Sequence, residues 1–151
     1  MINLILSEMQ REHLEQVAEL EKICFSQPWS YTSLEEELDN ETAHFFVATV
    51  DDRVVGYIGV FVVSDSCFIS NIAVLPDYRR QGVGRALMKI AMLTADVMGT
   101  EFISLEVRPT NYPAVMLYKS LGFEEMGRRR DFYRNPREDA LIMTKIFSKK
   151  E

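Results

Sequence analysis

Apolar and polar residues recur along this chain with two different periods, and the change of period separates predicted helices from predicted strands. Residues 10–24 have helical spacing, and a short acidic helix is expected over 32–38. The period then falls to two, so 43–50 and 53–63 predict an antiparallel hairpin and 67–76 a further strand. The apolar face predicted for the first helix consists of Leu14, Val17, Leu20 and Ile23, with Ala18 and Cys24 beside it.

The second half of the chain continues this mixture of helices and strands. Its long helix has a predicted apolar face of Val83, Ala86, Leu87, Ile90, Thr94 and Val97. The expected bounds are 3–8 for a first strand, 83–97 for the long helix, 101–108 for a strand, 111–121 for a short helix ending at Gly122, and 123–127 and 139–147 for two strands around a charged loop at 128–139. Without repeats or linkers, the pattern predicts one mixed α/β domain over residues 1–151, with a mostly antiparallel sheet flanked by helices.

Composition narrows the class of protein. With 47% hydrophobic and 26% charged residues and no run of about 18 apolar residues, the chain is expected to be globular, without a membrane span. The first residues lack the basic region of a signal peptide, and two cysteines make no disulfide framework, so a cytoplasmic location is expected. The two histidines, His13 and His44, have no metal-ligand spacing, and no metal is expected.

Charge is distributed unevenly. The net charge of −6 argues against direct nucleic-acid binding, and 35–41 is strongly acidic, while arginines cluster at 79–85 and 128–130. The second cluster is typical of a solvated loop, although it could instead pair with Glu138 and Asp139 or meet a ligand. A local basic region on an acidic protein suits a small anionic ligand better than a polymer of phosphates.

The segment DYRRQGVGRALM (77–88) is the first candidate binding site. It follows a predicted strand and opens the long helix, so it presents free backbone N–H groups together with Arg79, Arg80 and Arg85. Gly82 and Gly84 would let an anion approach the backbone closely. The spacing matches neither a P-loop nor a Rossmann turn. A simpler interpretation, in which Gly82 is only an N-cap and the arginines are a solvated rim, stays open.

The segment LEVRPTNYPAVMLYKSLGF (105–123) is the second. Glu106 lies on the face of its strand opposite the apolar residues, and Tyr118 lies on the packed face of the next helix. A carboxylate could accept a proton from an α-amine, whose pKa is about 7.7–8.0, and a tyrosine could protonate a leaving thiolate. Alternatively, Glu106 pairs with Arg108, and Tyr118 is a core residue. Asn111 could contact a cofactor or cap its helix.

Arg79-x-x-Gly82-x-Gly84 resembles the Q/R-x-x-G-x-G/A pyrophosphate loop of the GCN5-related N-acetyltransferases (GNAT), and the resemblance covers nearly the whole chain. It implies the GNAT fold and acetyl-CoA as co-substrate, with the pyrophosphate on the helix mouth and the pantetheine arm on the preceding strand. The cofactor contacts implied are Ile72, Ala73, Val74, Arg79, Arg80, Gln81, Gly82, Val83, Gly84, Arg85 and Asn111.

The second segment, with RRRDFYRNPREDALIM (128–143) and CFSQPWS (24–30), resembles the RimI-type ribosomal-protein-alanine N-acetyltransferases. That resemblance implies Glu106 as general base, Tyr118 as general acid, and the N-terminal alanine of a small-subunit ribosomal protein as acceptor. Many members have two adjacent tyrosines where this chain has Phe132-Tyr133, so a contact made by the first hydroxyl would be missing.

Three aromatic residues are candidates for binding the acceptor peptide: Trp29, Tyr31 and Tyr133. Trp29 could equally fasten its loop to the core. Neither Cys24 nor Cys67 lies in a nucleophile pattern, so direct transfer without a covalent enzyme intermediate is expected. The enzyme is expected to be a monomer or weak dimer. Three alternatives stay open: acetylation of another amine, an acyl-CoA-binding regulator without catalysis, and a phosphate-recognising nucleic-acid module, which the acidic balance disfavours.

Overall fold

The computed structural model describes residues 2–147 and shows one seven-stranded sheet with helices on both faces. Strands follow the order β1-β2-β3-β4-β5-β7-β6, and every neighbouring pair is antiparallel except β4 and β5. The strands are β1 (Leu4–Glu8), β2 (Ala43–Val50), β3 (Arg53–Val63), β4 (Ser66–Val74), β5 (Phe102–Val107), β6 (Glu124–Tyr133) and β7 (Glu138–Ile146). The helices are α1 (Leu14–Cys24), α2 (Tyr31–Glu37), α3 (Val83–Val97) and α4 (Tyr112–Ser120), and a 3₁₀ turn (Arg11–His13) precedes α1. The predicted fold class is confirmed.

Adjacent residues of β3 show how the helices are divided between the two faces. The Tyr57 side chain reaches α1, while a Cβ on Gly56 would lie 3.1 and 3.2 Å from Val83 and Leu87 of α3. Because successive residues of a strand face opposite sides, α1 and α3 cover opposite faces. The absent side chain at Gly56 lets α3 pack directly on the sheet.

The predicted apolar faces of the two long helices need correction. Ile23 of α1 is 53% exposed and Glu21 is fully buried instead. In α3, the buried residues are Val83, Leu87, Met88, Ala91 and Ala95, so the buried face is rotated from the predicted one and Val97 is exposed. Both helices have wide apolar surfaces, so the spacing of apolar residues alone could not show which part of that surface contacts the sheet. For α3, the close approach to Gly56 determines it.

The prediction of a charged loop over 128–139 is wrong. Strand β6 continues to Tyr133 and β7 begins at Glu138, so only 134–137 connect them. Strand β6 is the edge of the sheet and is exposed on both faces along most of its length. A strand with two solvated faces has no apolar alternation, which is the signal used to recognise strands from sequence.

Strands β4 and β5 separate part of the way along their length. Their parallel register ends at the pair Phe68 and Ser104. Directly beyond that pair, Ser70 is an extra residue in β4 and forms a bulge opposite Gly59 and Val60. Bulges bend a strand and end its pairing. The sheet therefore opens into a gap between the outer half of β4 and β5.

Within residues 2–147, no helix is long and apolar enough to cross a membrane, and no group of three side chains suited to a metal ion occurs.

Candidate active site

The glycine turn leads from β4 into α3 through left-handed backbone. Arg80 has φ +64° and Gly82 has φ +84°, and Val83 begins the helix. The first helical hydrogen bond runs from Ala86 N to Gly82 O at 3.0 Å, and none of the described side chains caps the N-terminus. The N–H groups of the first turn therefore point outward, together with the positive end of the helix dipole.

The side chains around this turn have different roles. Arg79 Nε donates to Val74 O at 3.0 Å, and its guanidinium lies 3.6 Å from Cys24 Sγ, so this side chain fastens the turn to β4 and α1. Gln81 Nε2 donates to Asp77 O, and Arg85 donates to Ser120 Oγ of α4. Within residues 2–147, the guanidinium of Arg80 forms no hydrogen bond or ion pair.

The two glycines serve separate purposes. Among residues 2–147, a Cβ on Gly82 would meet no atom within 4 Å, so this position needs glycine for its left-handed φ and leaves open space over the turn. A Cβ on Gly84 would point inward, 3.5 Å from Leu117 and 4.0 Å from Val74. Gly84 therefore lies against α4, and the space open to an anion is on the Gly82 side.

The outer half of β4 directs backbone groups that are not paired with a strand toward the gap. Leu75 N donates to Val55 O across the ladder with β3 at 2.8 Å. Since backbone groups alternate in direction along a strand, those of Val74 and Ile72 point away from β3 and into the gap. Val74 O accepts from Arg79 and Cys24, whereas Ala73 faces β3 as the partner of Tyr57.

Glu106 lies on β5 across this gap. Among the described residues, its Oε2 is one of two buried side-chain polar atoms without a hydrogen-bond partner. Arg129 Nε lies 3.4 Å from that oxygen, an ion-pair distance that lacks hydrogen-bond alignment. The alternative pairing with Arg108 is not observed, because Arg108 pairs with Glu138. The carboxylate is thus partly enclosed and able to accept a further proton donor.

Glu106 shares one face of the sheet with α1. Tyr57, which reaches α1, and Phe61 lie on the same face of β3, and Phe61 pairs with Phe68 of β4. Phe68 pairs in turn with Ser104, two residues before Glu106 on the same face of β5. The segment that follows α1 therefore lies on the Glu106 side of the sheet.

One tyrosine, Tyr133, lies near Glu106, and a second, Tyr118, lies near Tyr133. Tyr133 is partly buried at the end of β6, and burial together with the charge of Glu106 raises its pKa to about 12, against an opposing effect of Arg108. Tyr118 is 4% exposed on α4, and burial, reinforced by nearby Tyr133, raises the pKa of its hydroxyl above the ordinary value. Both hydroxyls remain protonated at neutral pH and can act as donors.

Arg108 holds the β6–β7 connection beside these tyrosines. Its guanidinium donates to the carbonyls of Pro136 at 2.8 Å and Arg134 at 3.0 Å, and stacks 4.3 Å from the Tyr133 ring centroid. Glu138 accepts from Thr110 N and Oγ1 at 3.0 and 2.9 Å. The end of β5 is therefore fastened to the loop that carries Tyr133.

The remaining candidates lie at helix starts. Asn111 is the N-cap of α4, and its Oδ1 accepts from Ala114 N at 3.4 Å, so the capping role is observed. Tyr31 is the first residue of α2 and is 41% exposed. The Trp29 ring lies 6.1 Å from the Phe45 ring, so Trp29 both packs on the core and borders the Glu106 side of the sheet.

Neither thiol lies in a nucleophile arrangement. The Cys24 thiol donates to Val74 O at 3.6 Å, and burial raises its pKa. Cys67 is fully buried, which raises its pKa to about 11. Raised pKa values disfavour the nucleophilic thiolate.

Glu21 is the functional candidate that the sequence patterns missed. It is fully buried on α1, and it accepts hydrogen bonds from Trp29 N, Tyr57 Oη and Asn71 Nδ2. One signal was available, since Glu21 follows Val17 by four residues and so lies on the face predicted to be apolar.

A glycine turn at the mouth of a helix, following a strand that directs backbone groups into a gap, is the arrangement that the resemblance to the N-acetyltransferases implies for the pyrophosphate and the pantetheine arm. The family model of the Acetyltransferase (GNAT) family matches residues 14–123, and the chain belongs to that family, whose members use acetyl-CoA. The family expectation is confirmed.

Individual relatives are similar over most of the chain. A Bacillus subtilis protein, provisionally named a ribosomal protein bS18-alanine N-acetyltransferase, is 39% identical over 136 residues, which are 89% of this chain and 90% of the relative. The ribosomal protein bS18-alanine N-acetyltransferase of Escherichia coli K12 is 34% identical over 140 residues, 91% and 94% of the two chains. The crystal structure of the E. coli ribosomal-protein-S18-alanine N-acetyltransferase superimposes with a TM-score of 0.89 at 33% identity, covering 98% of this chain and 96% of the other.

Proposed function

We propose that this acetyltransferase transfers the acetyl group of acetyl-CoA to the N-terminal α-amine of a protein, with the N-terminal alanine of a small-subunit ribosomal protein as its main acceptor. The acceptor class rests on the names of relatives at 34 and 39% identity that align over about nine-tenths of this chain. The reaction class rests on membership of the GNAT family.

The glycine turn and β4 would hold acetyl-CoA. The outward N–H groups of Val83, Gly84 and Arg85 suit a pyrophosphate, and the guanidinium of Arg80, which has no partner among residues 2–147, adds a charged donor. Gln81 and Arg79 shape the turn. The Ile72 backbone and the Val74 N–H face the gap and can pair with the amide-bearing pantetheine arm as a neighbouring strand would, while Ala73 keeps that edge in the sheet through its pairing with Tyr57. The Asn111 amide nitrogen can add a contact beside its capping bond.

The acceptor amine would lie between Glu106 and the acetyl group. Glu106 accepts the proton that the amine loses as its nitrogen bonds to the acetyl carbon. The thioester C–S bond breaks, and Tyr118 donates its hydroxyl proton to the departing sulfur. Tyr133, close to both groups, can bind the peptide, while Trp29 and Tyr31 border it on the α1–α2 side.

One observation carries this assignment: the buried Oε2 of Glu106 has no hydrogen-bond donor of its own in residues 2–147. A carboxylate with a role only in stability is normally satisfied by its neighbours. An acyl-CoA-binding regulator without catalysis would also have no use for such a group on the strand that borders the gap.

The proposed reaction also bears on the domain organisation, cellular location and oligomeric state of the enzyme. We infer that residues 1–151 act as one catalytic domain in the cytoplasm, where ribosomal proteins are made, as a monomer or weak dimer without direct nucleic-acid binding. The acidic net charge of −6 supports that last inference.

The test is an intact-mass assay with acetyl-CoA and peptides that differ only in their first residue, together with an internal-lysine peptide whose N-terminus is blocked. Acetylation of the alanine peptide and none of the blocked peptide is the expected result. Glu106→Gln should lower kcat at least about 100-fold while acetyl-CoA affinity changes less than twofold.

Glu101→Gln, on the exposed residue just before β5, is the matched control and should keep wild-type rates. Transfer to the blocked peptide alone would instead assign a lysine acetyltransferase. Tight acetyl-CoA binding with every peptide unmodified would favour another amine or a regulator.

A further inference from the structure

The chemistry above leaves one buried charged group unused. Glu21, on the last turns of α1, has no exposed surface. Its Oε1 accepts from Trp29 N at 2.8 Å, and its Oε2 accepts from Tyr57 Oη at 2.6 Å and from Asn71 Nδ2 at 3.2 Å. Burying a carboxylate costs a large desolvation free energy unless hydrogen-bond donors satisfy it. The burial of Glu21 therefore depends on these three hydrogen bonds, which form one network.

These contacts join four parts of the molecule. Glu21 belongs to α1, Tyr57 to β3, and Asn71 to β4 beside the Ser70 bulge. Trp29 belongs to the connection between α1 and α2, residues 25–30, named here the acceptor-side loop. One carboxylate therefore links this loop to the strand that borders the gap.

The acceptor-side loop depends on Glu21 more than the strands do. Phe25 N ends α1 by donating to Glu21 O, and Ser30 Oγ caps α2 by accepting from Ser33 N. Between these two ends, the Glu21–Trp29 hydrogen bond fixes the loop backbone to the body. Asn71, by contrast, is also held by its pairing with Gly59 in the sheet.

We propose that Glu21 is a positioning residue for the acceptor: it holds the acceptor-side loop and Trp29 on the Glu106 side of the sheet, and thereby sets acceptor affinity. The proposal rests on the function proposed above for its effect on catalysis. Its structural part, the position of Trp29, can be measured without any substrate.

Glu21→Gln is the informative change. The amide keeps the size of the side chain but replaces one of the two acceptor oxygens with an NH2 donor, so at least one of the three hydrogen bonds is lost or must reverse its direction. The acetyl-CoA side should be spared, because the Ile72 backbone is placed by the sheet. We expect the peptide KM to rise at least about fivefold, with kcat changed less than threefold and acetyl-CoA affinity less than twofold.

Trp29 supplies the second readout, because it is the only tryptophan in the chain. Its fluorescence therefore reports on the acceptor-side loop alone. In the free protein, the acrylamide quenching constant of Glu21→Gln should be at least about twice that of the wild type. Glu19→Gln, an exposed position on the same helix, is the matched control and should change neither quenching nor KM.

Wild-type quenching and wild-type peptide KM in folded Glu21→Gln would overturn the proposal, and so would a loss of acetyl-CoA affinity equal to the rise in KM.

If Glu21→Gln does not fold, Tyr57→Phe decides, since it removes one donor and keeps the ring. It should raise quenching and KM in the same direction by a smaller factor, and wild-type values would overturn the proposal. Increased quenching in an enzyme that acetylates no peptide would refute the proposed acceptor and leave the positioning role standing.

Discussion

Gly82 allows a quantitative test of why the turn before α3 contains glycine. The perturbation is Gly82→Ala. The added methyl group would touch nothing within 4 Å in the part of the chain that the structure describes, so the change introduces no clash there. The whole cost comes from backbone conformation, because φ is +84° and an L-residue in left-handed backbone costs about 1–2 kcal/mol.

That cost should be visible in unfolding. For a chain of this size, about 1–2 kcal/mol corresponds to a fall in Tm of roughly 2–8 °C. The backbone N–H groups that follow Gly82 would also shift if the turn relaxed to a negative φ. We therefore expect weaker acetyl-CoA binding by calorimetry, by about threefold or more, as well as a lower midpoint in urea.

Gly84→Ala is the matched control from the same motif. Its Cβ would make ordinary contacts at 3.5 Å with Leu117 and 4.0 Å with Val74, and its φ is not left-handed. Alanine is the better helix former, so stability should stay equal or rise by up to about 1 kcal/mol, with acetyl-CoA affinity unchanged. The reasoning is refuted if Gly82→Ala is as stable as the wild type, or if Gly84→Ala proves the more damaging of the two.

Three further predictions concern the Glu106 side of the gap. Tyr118→Phe should lower kcat about 10–100-fold with acetyl-CoA affinity within twofold, measured by single-turnover kinetics and calorimetry, and a normal kcat would remove Tyr118 from the mechanism. Arg108→Gln should cost about 1–2 kcal/mol in urea unfolding, since it loses its bonds to two loop carbonyls and its stacking on Tyr133, and an unchanged midpoint would contradict the fastening role. The folded pKa of Tyr133 is about 12 and that of Tyr118 is also raised, so both hydroxyls stay protonated up to about pH 10 and kcat should not fall between pH 8 and 10. The free energy of unfolding that these hydroxyls contribute should be fully present below about pH 10 and should decline as pH rises toward 12. A loss of kcat with a midpoint near pH 9 would contradict this.

The helices and inner strands could be predicted because their burial is one-sided or complete. Strand β3 and helix α3 were located at the observed bounds from period and turn residues alone. Strand β6 could not be located beyond residue 127, because a solvated edge strand rich in arginine looks like a loop. The centre of the buried face of α3 depends on a contact with Gly56, which is remote in sequence and has no local signal.

The candidate site divides in the same way. The glycine turn and Glu106 were marked by residue types that are out of place locally, glycine at a helix start and glutamate in a strand. What these residues contact could not be predicted. The pairing of Glu106 with Arg129 rather than Arg108 depends on β6 lying beside β7 at the sheet edge. Glu21 was hidden because two of its three donors, Tyr57 and Asn71, lie 36 and 50 residues away in sequence, and only the fold brings them to its carboxylate.

The two sides of the gap are built by different means, and this difference has a consequence for specificity. On the acetyl-CoA side, most of the groups offered are backbone N–H and C=O groups, which many side-chain substitutions preserve, and the side chains of Arg80 and Asn111 only add to them. On the acceptor side, the bordering loops are held by side-chain charges, Glu21 under Trp29 and Arg108 under Tyr133. Each anchor is a hydrogen-bonded charge that is largely enclosed, so losing one leaves partners unsatisfied and moves a whole loop. Acceptor preference should therefore change by substitution at these anchors and loops, while use of acetyl-CoA persists in the same variants.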